Sequence, residues 1–153
     1  MSAPLDELQL RRLLVAVDGS DSSTLALRAA ITVARRDNAA LTLLCVAPDA
    51  AHDVGRFAVA AGVPPASQDE LDAKAEKILR ATVGLVPSDI PVRTVVRRGK
   101  PGPAIVAHAR EESYDAILVG ARGVGRVGAI IGSVSAYVLS HADVDVFVAH
   151  SAI

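Results

Sequence analysis

Apolar residues change period repeatedly along this chain, and that alternation restricts its fold more than any other feature. Leu13-Leu14-Val15-Ala16-Val17 is an unbroken apolar run that stops at Asp18, the pattern of a strand covered on both faces. Gly19-Ser20-Asp21-Ser22 follows as a turn rich in helix-capping side chains. Leu27, Ala30, Ile31 and Ala34 then recur at helical spacing, and Arg35 and Arg36 suit the negative end of that helix. Leu41 to Val46 reads as a second strand. Ala47 to Ser67, with Pro48, Gly55, Gly62, Pro64 and Pro65, reads as a connection with room for a short helix, long enough to point to function or mobility.

The alternation continues to the end of the chain. Leu71, Ala75, Ile78, Leu79 and Thr82 form a second helical stripe, closed by Gly84 and Pro87. Val92 to Val96 is a third strand, with Arg97 and Arg98 at its end and a turn at Gly99 to Pro103. Ile105, Val106 and Ala109 suit a short third helix, and Ala116 to Gly120 a fourth strand. A glycine-rich loop runs to Gly132, Ser133 to His141 is a short helix, and Val144 to Ala149 a last strand. The order β-α-β-α-β-α-β-α-β, with strands that are apolar throughout, predicts a parallel sheet with helices on both faces and right-handed crossovers.

A length of 153 residues fits one domain, with residues 1–10 as an N-terminal arm and 11–153 as the folded unit. Aromatic residues make up only 3% and Trp is absent, so the core must be aliphatic and a base-stacking platform for nucleic acid is not expected. A formal charge of −1 gives no broad attraction to nucleic acid or to an anionic membrane. The single Cys45 excludes an intrachain disulfide and a cysteine-rich zinc site. Met1 to Leu10 carries Asp6 and Glu7 and lacks the layout of a signal peptide, and no long uncharged apolar run stands out, so a cytoplasmic protein is expected.

Ligands of open α/β sheets sit at the carboxyl ends of strands, where strand order reverses. The candidate tips are Asp18, Val46, Arg98-Gly99 and Gly120. Five glycines fall in the 13 residues from Gly120 through Gly132, a spacing that lets backbone amides approach a ligand closely. Arg122 and Arg126 add charge, and the helix near Ser133 offers free N–H groups to the same place. Together they read as an anion cradle, or else as a loop ending in a capped helix. Asp18 is a ligand-binding carboxylate or a cap for the next helix. Ser133 is read as an N-cap, and Ser135 either faces the ligand or its own helix. Gly123-x-Gly125-x-x-Gly128 matches the dinucleotide fingerprint but sits in the last βα unit, with no acidic residue after the next strand to hold a ribose. Arg93, Arg97, Arg98 and Lys100 read as a solvated strand end. His141, Asp143, Asp145 and His150 straddle a helix end and a strand and do not converge as metal ligands.

These residues resemble the universal stress protein family over nearly the whole chain. The resemblance is carried by Val15-Ala16-Val17-Asp18-Gly19-Ser20, Leu43-Leu44-Cys45-Val46, Gly99-Lys100-Pro101 and Asp115 to Gly120. Its most specific part is Gly120-x2-Gly123 … Gly132-Ser133-Val134-Ser135, followed by Val144 to Val148. ATP-binding members carry Gly-x2-Gly-x9-Gly-Ser/Thr, whereas here eight residues separate Gly123 from Gly132. The resemblance implies a Rossmann-like, five-stranded parallel sheet in the order 3-2-1-4-5. It implies that Asp18 lies near the ribose or a magnesium ion and that Ala16 and Val46 flank an adenine. It also implies that Gly120 and Gly123 shape the loop, beside Arg122, and that Gly132, Ser133, Val134 and Ser135 hold phosphate. The expectation is a stress-response or regulatory protein that binds ATP with magnesium. Hydrolysis should be slow at most, because no base and water-positioning group stand together beside the loop. The alternatives are a dimeric interaction module without nucleotide, favoured by the shortened loop, and a cyclic AMP binder. The resemblance further implies a homodimer paired through Val144 to Val148.

Overall fold

Leu13, Leu14 and Val15 are fully buried, and their strand, β1 (Arg12–Ala16), is the middle of the sheet. A computed structural model describes residues 8–51, 62, 66–121 and 132–151 of the chain. In chain order the elements are β1, α1 (Asp21–Asp37), β2 (Ala40–Ala47), α2 (Gln68–Val83), β3 (Val92–Arg98), α3 (Pro101–Glu111), β4 (Ala116–Gly120), α4 (Ser133–His141) and β5 (Asp145–Ala149). The five strands are parallel and stand in the order β3-β2-β1-β4-β5. Strand order therefore reverses between β1 and β4, as the predicted order requires.

The pleat sorts the core into two layers. Leu13, Val15, Leu41, Leu43 and Leu118 face α1 and α2, where Leu27, Ala30 and Leu79 meet them. Leu14, Leu44, Ile117 and Val119 face α3 and α4, against Ile105, Val106 and Val138. Each buried aliphatic side chain of this kind contributes about 1.5–3 kcal/mol relative to exposure. The layer ahead of β1 starts with Leu10, which is buried against the α1 side and whose N–H donates to Asp37 Oδ2 at 2.8 Å. No helix among the described residues is long and apolar enough to cross a membrane.

The structure corrects three local expectations. Arg97 and Arg98 lie inside β3, paired in register with Val46 and Ala47 of β2, rather than past the strand's end. Nor is the basic cluster a solvated strand end: Arg93 bonds to Glu112, Tyr114 and Thr42, Arg97 to His108 and Glu111, and Arg98 to Asp72. Alternation on an edge strand sends Arg93 and Arg97 toward α3 and Arg98 toward α2, so each guanidinium meets an acid of the neighbouring layer. Ser133, finally, is not the N-cap of α4. Gly132 takes that place with extended geometry, φ −64° and ψ 164°, and Ser133 is the first helical residue, exposed and without a capping bond.

Candidate functional site

The turn from β1 to α1 is built by its own side chains. Asp18 Oδ1 accepts the Ser20 N–H at 2.9 Å across Gly19, which takes φ +82°. Ser20, not Asp18, caps α1: its Oγ accepts the Ser23 N–H at 3.2 Å, and Ser23 Oγ donates to the Ser20 carbonyl at 3.0 Å. The Asp18 carboxylate is thus held at the tip of β1, one turn ahead of a helix N-terminus. Across the reversal, the tip of β4 is pressed against the first turn of α1. A Cβ at Gly120 would stand 2.3 Å from the Ser22 carbonyl oxygen, so only glycine lets these two elements close on each other.

Between them opens a cleft of about 250 Å³. Of the residues singled out from the sequence, Ala16, Asp18, Val46, Gly120 and Val134 line it. Leu44, Pro48, Pro101 and Ile105 extend the apolar wall, and Ser20, Ser22 and Ser23 join Asp18 on the polar one. The wall is therefore apolar toward β2 and α3 and carries oxygen atoms toward α1. Sequence reasoning misses these serines as site residues because their capping pattern explains them without a ligand. It misses Pro101 and Ile105 because the first turn of α3 reaches the cleft only through the β3–α3 crossover. Among the described residues of the wall there is no Lys, Arg or His.

The remaining candidates sit elsewhere. Gly132 and Ser133 begin the same helix as Val134 but do not line the cleft. Ser135 is buried, and its hydroxyl donates to the Gly132 carbonyl at 3.0 Å, so it serves its own helix. Arg122 and Gly123 lie outside the described residues. Among the described residues no three His, Cys, Asp or Glu side chains group as a metal site. The Asp18 carboxylate still suits magnesium, which keeps several waters and takes further oxygens from a phosphate.

The sequence model of the universal stress protein family matches residues 9–150. The chain belongs to the universal stress protein family. Its similarity to universal stress protein YxiE of Bacillus subtilis is 35% identity over 130 residues, 81% of this chain and 88% of that one. Among solved structures it is similar to the universal stress protein UspA of Lactobacillus plantarum. The two share 27% identity and a TM-score of 0.72, over 94% of this chain and all of that one, 100%. A universal stress protein solved in complex with cAMP is 28% identical with a TM-score of 0.58, over 95% of this chain and 100% of that one. Within this family fold, the cleft of the present member lies at the carboxyl ends of β1 and β4, where strand order reverses.

Proposed function

We propose that this universal stress protein binds an adenine nucleotide in the cleft between β1 and β4, with ATP and magnesium as the bound form, and works as a cytoplasmic stress-response or regulatory protein. The observation that carries the reading is the two-sided wall of that cleft. Ala16, Leu44, Val46 and Ile105 offer an apolar surface to a purine ring, while Asp18 and the serines of the β1–α1 turn offer oxygens to ribose hydroxyls or to hydrated magnesium. Val134 brings the start of α4 to the same opening, where free N–H groups favour phosphate. The cAMP complex of a relative supports an adenine nucleotide as the ligand class. Binding rather than turnover is the role we assign: the described wall holds one carboxylate and no cation, short of what phosphoryl transfer uses.

Isothermal titration with ATP, ADP and cyclic AMP, with and without magnesium, tests the reading. Saturable binding of one of them, tightest for ATP with magnesium, is the expected result. Absence of heat for all of them up to millimolar concentration would overturn it and favour the interaction module that the eight-residue spacing between Gly123 and Gly132 suggests.

A further inference from the structure

His108 is 1% exposed, and both of its ring nitrogens are committed. Arg97 of β3 donates to Nδ1 from Nε at 3.1 Å and lies 2.9 Å away through its terminal nitrogen. A guanidinium has no acceptor to offer, so Nδ1 is bare and the proton sits on Nε2. That N–H points at the Tyr114 hydroxyl, 3.0 Å away, which in turn donates to Glu112 Oε2 at 3.0 Å. The chain of donors therefore runs one way, from Arg97 through neutral His108 and Tyr114 to Glu112.

Among the described residues, the charged and titratable groups around the ring come from β3, from the end of α3 and the loop after it, and from β1. From β3 come the guanidinium groups of Arg93 and Arg97, and Arg93 is itself bonded to Tyr114, to Glu112 and to Thr42 of β2. From the end of α3 comes Glu111, paired with Arg97. From the loop after it come Tyr114 and Glu112, whose Oε2 is 3.9 Å from His108 Nε2. From β1, Arg12 lies over the Tyr114 ring at 5.1 Å and reaches Glu112 at 3.7 Å. A proton added to Nδ1 would find no acceptor and would face Arg97. Burial first, and then Arg97 and Arg93, hold the imidazole below its ordinary pKa.

The latch reaches the cleft by two routes. Ile105 and Pro101 precede His108 by three and seven positions, on the same face of α3, and both line the cleft. Arg97 stands in register opposite Val46 of β2, which lines it too. We propose that the His108–Arg97 contact is an acid-sensitive latch on the cleft: neutral His108 holds α3 against β3 with Pro101 and Ile105 in place, and a proton on Nδ1 parts the two elements and weakens nucleotide binding. This deepens the reading of the cleft as a nucleotide site and rests on it. By linkage, nucleotide bound to the latched form makes His108 harder to protonate by the same factor.

The test is affinity for ATP with magnesium from about pH 7.5 to about pH 5, across the ordinary histidine value of about 6.5. His108→Gln is run in parallel, so that titration of the ligand's own phosphate cancels. The latch predicts that the wild type loses roughly fivefold or more in affinity beyond any loss in the variant. Equal pH profiles for the two proteins would overturn it. If His108→Gln does not fold, Arg97→Gln replaces it: an amide oxygen in place of the opposing guanidinium can accept the added Nδ1 proton, so the acid-driven loss of affinity must shrink or vanish, and a loss as large as that of the wild type overturns the latch. Failure of ATP to bind at any pH sinks the nucleotide reading instead. Hydrogen exchange of the α3 amides in the free protein then decides the latch. Selective opening of α3 at about pH 5, absent in His108→Gln, supports it, and unchanged α3 protection refutes it.

Discussion

Asp18 and Gly120 line the cleft and Gly132 starts the helix that reaches it, and their side chains, or lack of them, do different work. Gly132 has φ −64°, which any residue adopts. Gly132→Val should therefore leave the fold intact, while the added methyls block close approach of phosphate to the backbone. The expected result is a fall in ATP affinity of a few kcal/mol, about 1.5–3 for each charge-assisted hydrogen bond removed, read by titration calorimetry, with an unchanged melting temperature. Asp18→Ala removes the carboxylate from the tip of β1 and leaves the Ser20 cap in place. Affinity should fall and become indifferent to magnesium; a fall in thermal stability alone would make Asp18 a turn residue only. Gly120→Ala acts through the fold, because its Cβ would stand 2.3 Å from the Ser22 carbonyl. Backbone cannot yield as a flexible side chain does, so a loss of about 1–3 kcal/mol or more in chemical denaturation is expected.

Among the elements, α1 is tied at both ends. Its C-terminal Asp37 accepts the Leu10 N–H and is bonded by the neighbouring Arg36 guanidinium, which together hold its carboxyl at about 2, Arg36 having the larger influence. A folded-state value below the unfolded one of about 3.9 means stability that is present above about pH 4 and lost as pH falls through about 2. Asp37→Asn should lower the urea midpoint at neutral pH and flatten its decline between about pH 4 and pH 2. A wild-type slope kept in the variant would remove Asp37 from that role. The elements themselves are largely legible from sequence, because unbroken apolar runs and helical stripes encode a sheet covered on both faces. β4 and α4 fall where their patterns end, at Ala116–Gly120 and Ser133–His141. β3 reads too short because Arg97 and Arg98 look like a strand's end, and only their partners on α2 and α3 reveal why charge belongs there. The same holds for the cleft. Asp18 and Gly120 can be picked by topology, whereas the wall supplied by Pro101 and Ile105 depends on how a crossover helix lands, which no local pattern records.

For the whole molecule, β5 closes one side of the sheet among the described residues, with Phe147 43% exposed and Val146 and Val148 turned to the α4 layer. An apolar edge of this kind invites strand pairing. We propose a homodimer in which β5 pairs with its copy about a two-fold axis. Val146→Pro, which takes a donor from the ladder, should give monomer or insoluble protein by light scattering. A wild-type monomer at tens of micromolar, unchanged by the substitution, would refute the dimer. The central position of β1 carries a different consequence, for the order in which the chain is made. β1 leaves the ribosome before β4, yet Leu14 waits for its partner Ile117 until about 100 further residues have been translated. At about 5–20 residues per second, one long side of the central strand stays bare for several seconds of synthesis. That interval, more than any weakness of the finished sheet, is when the growing chain is most open to aggregation.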